Sequence, residues 1–157
     1  VDMPVPHEIK MLINKAKIAL SKYPVLFAYL FGSYATGKTT KASDIDIAFF
    51  FDYSIREREY RAIQNEIEEA LRKQLNIVSN QEAHTQILNN LYEKNIPLEY
   101  EIVYNGKLFY VKDDGARAHY EACAIRRACD WKPRQERFNK AILENIHKPI
   151  EPYKIYA

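Results

Sequence analysis

Apolar residues recur along this 157-residue chain with two different periods. From His7 to Lys22 they fall at Ile9, Leu12, Ile13, Ala16, Ala19 and Leu20, the spacing of one helix face. Pro24 ends that pattern. Val25 to Phe31 and Ile45 to Phe51 are then nearly continuous apolar runs, which predict strands. The second run predicts a central strand buried on both faces. Between them, Tyr34 to Lys38 predicts a short helix opening at a Gly-Ser turn. Ser54 to Leu75 reads as a long amphipathic helix, with Ser54 as N-cap and Glu57 at capping-box spacing. Asn76 to Ser79 predicts a short strand, and Gln81 to Lys94 a helix ended by Asn95 and Pro97. Leu98 to Tyr104 fits two descriptions: its alternation suits a strand, while Leu98 and Ile102 suit a helix. Asn105-Gly106 is a turn, and Lys107 to Val111 a strand. Asp114 to Asp130 and Pro133 to Ile146 predict two helices, with Pro133 in the first turn of its own. The tail from His147 has no periodicity.

This order predicts an α/β (α+β) fold, a small mixed sheet flanked by helices with a helical C-terminal extension. No repeat or linker divides it, so residues 1–157 are expected to form a single domain. Its parts are an N-terminal helix (1–24), a core (25–111), C-terminal helices (112–146) and a tail (147–157).

Composition narrows the function classes. A net charge of +2 is too small for binding bulk polyanions by charge alone, so direct nucleic-acid binding is not expected. The clusters Lys38 and Lys41, Arg126 and Arg127, and Lys132, Arg134 and Arg137 read first as solvated faces. Two cysteines, Cys123 and Cys129, make no disulfide framework and are expected to be reduced core residues. The longest apolar run is far too short to cross a bilayer, so the cytoplasm is the expected compartment and no membrane partner is expected. His84 and His119 fall on predicted helices and are expected to be surface or core residues. Tyr120 and Trp131 are expected to be core or interface anchors.

The chemistry concentrates at Gly32-Ser33, which stands ten residues before Asp44-Ile45-Asp46. Carboxylates two apart on a strand point to one face. Their repulsion is tolerated mainly where a cation sits between them, and hard oxygen ligands suit Mg²⁺. Glycine lets backbone approach a ligand, and free N–H groups with a hydroxyl hold phosphate oxygens. Gly32, Ser33, Asp44 and Asp46 therefore read as a site for a metal-bound nucleoside triphosphate. Tyr34 fits packing or stacking near the nucleotide, and Lys38 is a candidate phosphate contact.

Gly32-Ser33 with Asp44 and Asp46 resembles the DNA polymerase β-like nucleotidyltransferase superfamily. The stretch from Gly32 to Ile47 is similar, more narrowly, to the minimal nucleotidyltransferase antitoxins (MntA type) paired with HEPN toxins. Pro97-Leu98, Tyr100 to Val103, Gly106 to Tyr110, Arg117, Tyr120-Glu121 and Asp130 to Pro133 extend the resemblance. It favours a short helix over Leu98 to Tyr104. It implies an antitoxin that transfers AMP from ATP, with Mg²⁺, to a tyrosine of a partner HEPN ribonuclease. Gly32 and Ser33 would then hold the triphosphate, and Asp44 and Asp46 the metal.

The resemblance also implies a third carboxylate on the next strand. On the predicted strand from Leu75 to Asn80 the matching position is Asn76, whose amide offers a neutral oxygen. Three readings remain open. Asn76 replaces an Asp in an inactive form; another acid serves, with Glu82, Glu99 and Glu101 nearest along the chain; or the protein binds nucleotide and toxin without efficient transfer. Thr36 stands where the family often has Arg, and Lys38 or Lys41 would compensate.

Overall fold

A computed structural model describes residues 6–36, 44–77 and 81–145. Helix α1 (Pro6–Leu20) leads into β1 (Val25–Phe31), a helical turn α2 (Ser33–Thr36) and β2 (Ile45–Phe51). Next come α3 (Glu57–Gln74), β3 (Ala83–Ile87), a 3-10 turn at Leu91–Glu93, α4 (Ile96–Asn105), β4 (Lys107–Val111) and α5 (Asp114–Asn145). The strands form one mixed sheet in the order β3-β2-β1-β4. β1 is antiparallel to β2 and to β4, while β2 and β3 are parallel. A parallel neighbour needs a crossover, and α3 provides it.

Alternation along the strands fills two cores. Ala28, Leu30, Ile45, Ile47, Phe49 and Phe51 pack with Leu20 of α1 and with Ile67 and Leu71 of α3. Phe27, Tyr29, Ala48 and Phe50 pack with Ile102 of α4 and with Tyr120 and Ala124 of α5. Phe27 stacks on Phe50 with ring centroids 4.9 Å apart, and Tyr120 leans on both rings. β2 is the doubly buried central strand that its composition predicts.

The expected mixed α/β architecture is present, and β1, β2 and β4 have the expected bounds. Leu98 to Tyr104 lies in helix α4, where the Asn95 side chain accepts from the Leu98 N–H at 3.0 Å. Four expectations are corrected. The N-terminus of α3 is set by Glu59, which accepts from the Arg56 N–H at 2.9 Å, while Ser54 lies in the preceding turn, bonded to Asp52. The segment expected as the helix Gln81 to Lys94 contains β3 and the 3-10 turn; Ala83, Thr85 and Ile87 face α3 by strand alternation, and tertiary packing overrides the helical reading. Asn76, expected on a strand, stands in the turn after α3 with φ of 50°, a left-handed conformation that asparagine tolerates. Val78, Ser79 and Asn80 lie outside the described residues. Finally, the two expected C-terminal helices are one helix running through Pro133. Proline removes the hydrogen bond to the carbonyl of Cys129, which is exposed, so water can take its place.

Candidate active site

The candidate site lies where β1 ends and β2 begins. Asp44 immediately precedes β2, and Asp46 is within it, paired in register with Phe31, the last residue of β1. The chain then turns at Gly32. Its φ is +71°, and a Cβ built there would lie 2.3 Å from Oδ2 of Asp46. The backbone conformation favours glycine, and any larger residue would also push the Asp46 carboxylate out of its place. Gly32-Ser33 and the paired aspartates are thus brought together by an antiparallel register.

β3 adds the remaining walls. Asp44 Oδ1 accepts from the Glu82 N–H at 2.9 Å. Its Oδ2 lies 3.4 Å from His84 Nε2, which is also 3.4 Å from Glu82 Oε2. His84 is the register partner of Asp46 across the parallel pair, so both project from one face of the sheet. Burial pushes the Asp46 carboxyl above the usual carboxylate range; His84 opposes that rise and the charge of Asp44 adds to it. Asp46 therefore holds its charge at a cost that a bound cation would relieve.

Several candidate residues stand elsewhere. Tyr34 is only 7% exposed and packs in the core beneath α2, its hydroxyl accepting from Gln81 Nε2 at 3.1 Å. Its ring is a packing element, and the stacking role is not supported by this placement. Asn76, at the end of α3, is not the strand neighbour of Asp46; His84 is. Glu99 is fully buried, paired with Arg127 and accepting from the Tyr120 hydroxyl at 2.9 Å, so it is not a free third acid. Glu101 is exposed and accepts from Asn105 within α4. Of the three alternative acids only Glu82 touches the site. Lys38, Lys41 and Ser43 lie outside the described residues. Cys123 is half-buried and Cys129 exposed, so they are not the core residues expected. Tyr120 is the expected core anchor.

The residue the sequence reading missed is His84, which was assigned to a helix. The run Ala83-His84-Thr85-Gln86-Ile87 alternates in polarity, and that period of two was the available signal.

The donor set fits a Mg²⁺ ion accompanied by a triphosphate. Such an ion takes one or two carboxylates plus phosphate oxygens and waters rather than a protein cage. Consistently, among the described residues no group of three or more His, Cys, Asp or Glu forms a ready-made cage. Asp44 and Asp46 are the residues that would hold it.

A mixed sheet carrying a Gly-Ser turn against paired aspartates is the arrangement of a nucleotidyltransferase. The sequence profile described as "Polymerase beta, Nucleotidyltransferase" matches residues 14–115, and the chain belongs to that family. A candidate protein adenylyltransferase from Methanocaldococcus jannaschii is 33% identical over 92 residues, covering 57% of this chain and 92% of that relative. Among solved structures, a toxin–antitoxin with AMP-PNP shares the fold at a TM-score of 0.61 and 21% identity, over 85% of this chain and 97% of that one. The MNT antitoxin bound to a tri-AMPylated HEPN toxin of Shewanella oneidensis gives 0.59 and 18%, over 85% and 98%. The MntA-HepT toxin-antitoxin gives 0.62 and 16%, over the same shares.

Proposed function

We propose that this protein is an antitoxin that transfers AMP from ATP to a tyrosine of a cognate HEPN-family ribonuclease and so silences it. The observation that carries this reading is the contact between Gly32 and Asp46, with Asp44 beside it. The Methanocaldococcus relative and the AMPylated complex with the same fold support protein as the acceptor.

In this mechanism Gly32 and Ser33 hold the triphosphate, and Asp44 and Asp46 fix the metal side of it. When bound, Mg²⁺ neutralises charge on the triphosphate and on the departing pyrophosphate. The acceptor phenol oxygen forms a bond to the α-phosphorus. The bond from that phosphorus to the bridging oxygen breaks, and pyrophosphate leaves. The phenolic proton passes to solvent water as the new bond forms. Catalysis of this kind is mostly positioning and charge neutralisation.

Intact mass spectrometry of the co-purified partner, with and without this protein, ATP and Mg²⁺, tests the proposal. Mass added in whole AMP units supports it; an unmodified partner that is nonetheless inhibited supports a second reading. In that reading the protein neutralises by complex formation with little transfer. The absence of an acid at the β3 position beside Asp46, where His84 stands, is the observation that favours it.

A further inference from the structure

The side chains on either side of Asp46 bear on which hydroxyl the site accepts, an inference that rests on the AMP-transfer reading above. Asp46 is the register partner of Phe31 on β1 and of His84 on β3. Register partners project from one face of a sheet, so Phe31, Asp46 and His84 stand in line across three strands. Phe31 is partly buried and packs against the core that α4 and α5 cover. Oδ2 of Asp44 and Oε2 of Glu82 both lie 3.4 Å from Nε2 of His84. That one nitrogen is committed to the two carboxylates, so what the half-exposed His84 offers a substrate is the face of its ring. Neighbouring strands are about 4.8 Å apart, so a planar ring standing over Asp46 would lie about 5 Å from each wall. Aromatic pairs favour centroid separations of about 4.5–7 Å.

We infer that Phe31 and His84 form an aromatic slot that selects a phenol, the side chain of tyrosine, over the hydroxyls of serine and threonine. The phenol oxygen points down at Asp46, and the ring fills the gap between the two walls. The turn that would hold the phosphates lies past the end of β1, at the rim of the sheet, which leaves the face of the sheet to the acceptor. The bonds made and broken are those given above, with the electron pair leaving on pyrophosphate and the proton going to water. An aliphatic hydroxyl brings no ring and leaves both walls facing water. Phe31 and His84 thus act on the placement of the acceptor.

The test follows α-label transfer from ATP to the co-purified partner, with the labelled residue mapped by tandem mass spectrometry. Wild type labels tyrosine only. Phe31→Leu and His84→Leu each raise the KM for the partner about fivefold, the worth of one aromatic pair, and leave kcat within about twofold. Phe31→Tyr and His84→Phe keep a ring in place and stay within about twofold of wild type. Calorimetry shows AMP-PNP affinity within about twofold of wild type in all four variants. Circular dichroism melting checks that each is folded. Label on serine or threonine, unchanged transfer in both folded leucine variants, or His84→Phe as impaired as His84→Leu overturns the inference. AMP-PNP binding that weakens in step with transfer in Phe31→Leu also overturns it, since that ring then serves the nucleotide. All four outcomes leave AMP transfer standing. A wild type that labels no partner removes the functional reading itself, and the slot with it.

Discussion

Oδ2 of Asp46 lies where the Cβ of any residue other than glycine at position 32 would have to be, 2.3 Å away. The turn that approaches the phosphates and the carboxylate that faces the cation are thus packed against each other as one unit. Gly32→Ala meets both this clash and a φ of +71°. A left-handed L-residue costs about 1–2 kcal/mol. Thermal melts should show at least that loss. Calorimetry with AMP-PNP should show about tenfold weaker binding in the folded variant.

Asp46 also sets a pH dependence. Burial raises its carboxyl in the folded state above its unfolded value. The folded state then binds the proton more tightly, so this group destabilises the cation-free protein at neutral pH. That penalty is relieved as pH falls through the folded value towards the unfolded value. Melting of cation-free wild type against Asp46→Asn should show the variant more stable at pH 7. The gap should close on acidification towards pH 4, the ordinary carboxylate range. A gap that widens on acidification contradicts the assignment.

Glu99 has a different job. It is fully buried between α4 and α5, where Arg127 pairs with it and also lies over the Tyr92 ring, 4.5 Å from its centroid. Removing one partner of a buried pair leaves an uncompensated charge and costs about 3–5 kcal/mol. Arg127→Met should lose that much in urea denaturation, and the double variant Glu99→Leu with Arg127→Met should recover most of it. Metal binding per folded molecule should stay at the wild-type level in both, since neither residue touches the site.

Asn76 was the sequence's candidate for the missing acid, and its placement predicts otherwise. At the end of α3 with φ of 50°, it serves the turn. Asn76→Asp should leave Mn²⁺ and Mg²⁺ binding within about twofold of wild type, less than about 0.5 kcal/mol. Asn76→Ala should cost about 1–2 kcal/mol of stability through its left-handed backbone. A gain of metal affinity in Asn76→Asp would return this residue to the site.

The strands that carry the turn and the aspartates were legible because apolar runs bounded by Pro24, Gly32 and Asp52 have few alternatives. Helix α4 was ambiguous by period, and its Asn95 cap, a side-chain contact, decides it. β3 was misread because it is five residues long and polar at His84, Thr85 and Gln86, so burial there comes from partners on α3. That one error put Asn76 rather than His84 beside Asp46 in the expected sheet. A parallel register across a crossover is a tertiary fact, and no local spacing encodes it. Tyr34 shows the same limit: its place after Gly32-Ser33 suggested a ligand contact, and the fold turns its ring inward.

The central claim is that Asp44 and Asp46 direct AMP, rather than phosphate, onto the partner protein. The most direct measurement follows label transfer to the co-purified partner from ATP labelled at the α-phosphate, beside ATP labelled at the γ-phosphate. Wild type should transfer the α-label only, and folded Asp46→Asn should be slower by a hundredfold or more, roughly the 3 kcal/mol of charge stabilisation lost. Transfer of the γ-label, or α-label transfer undiminished in Asp46→Asn, would contradict it.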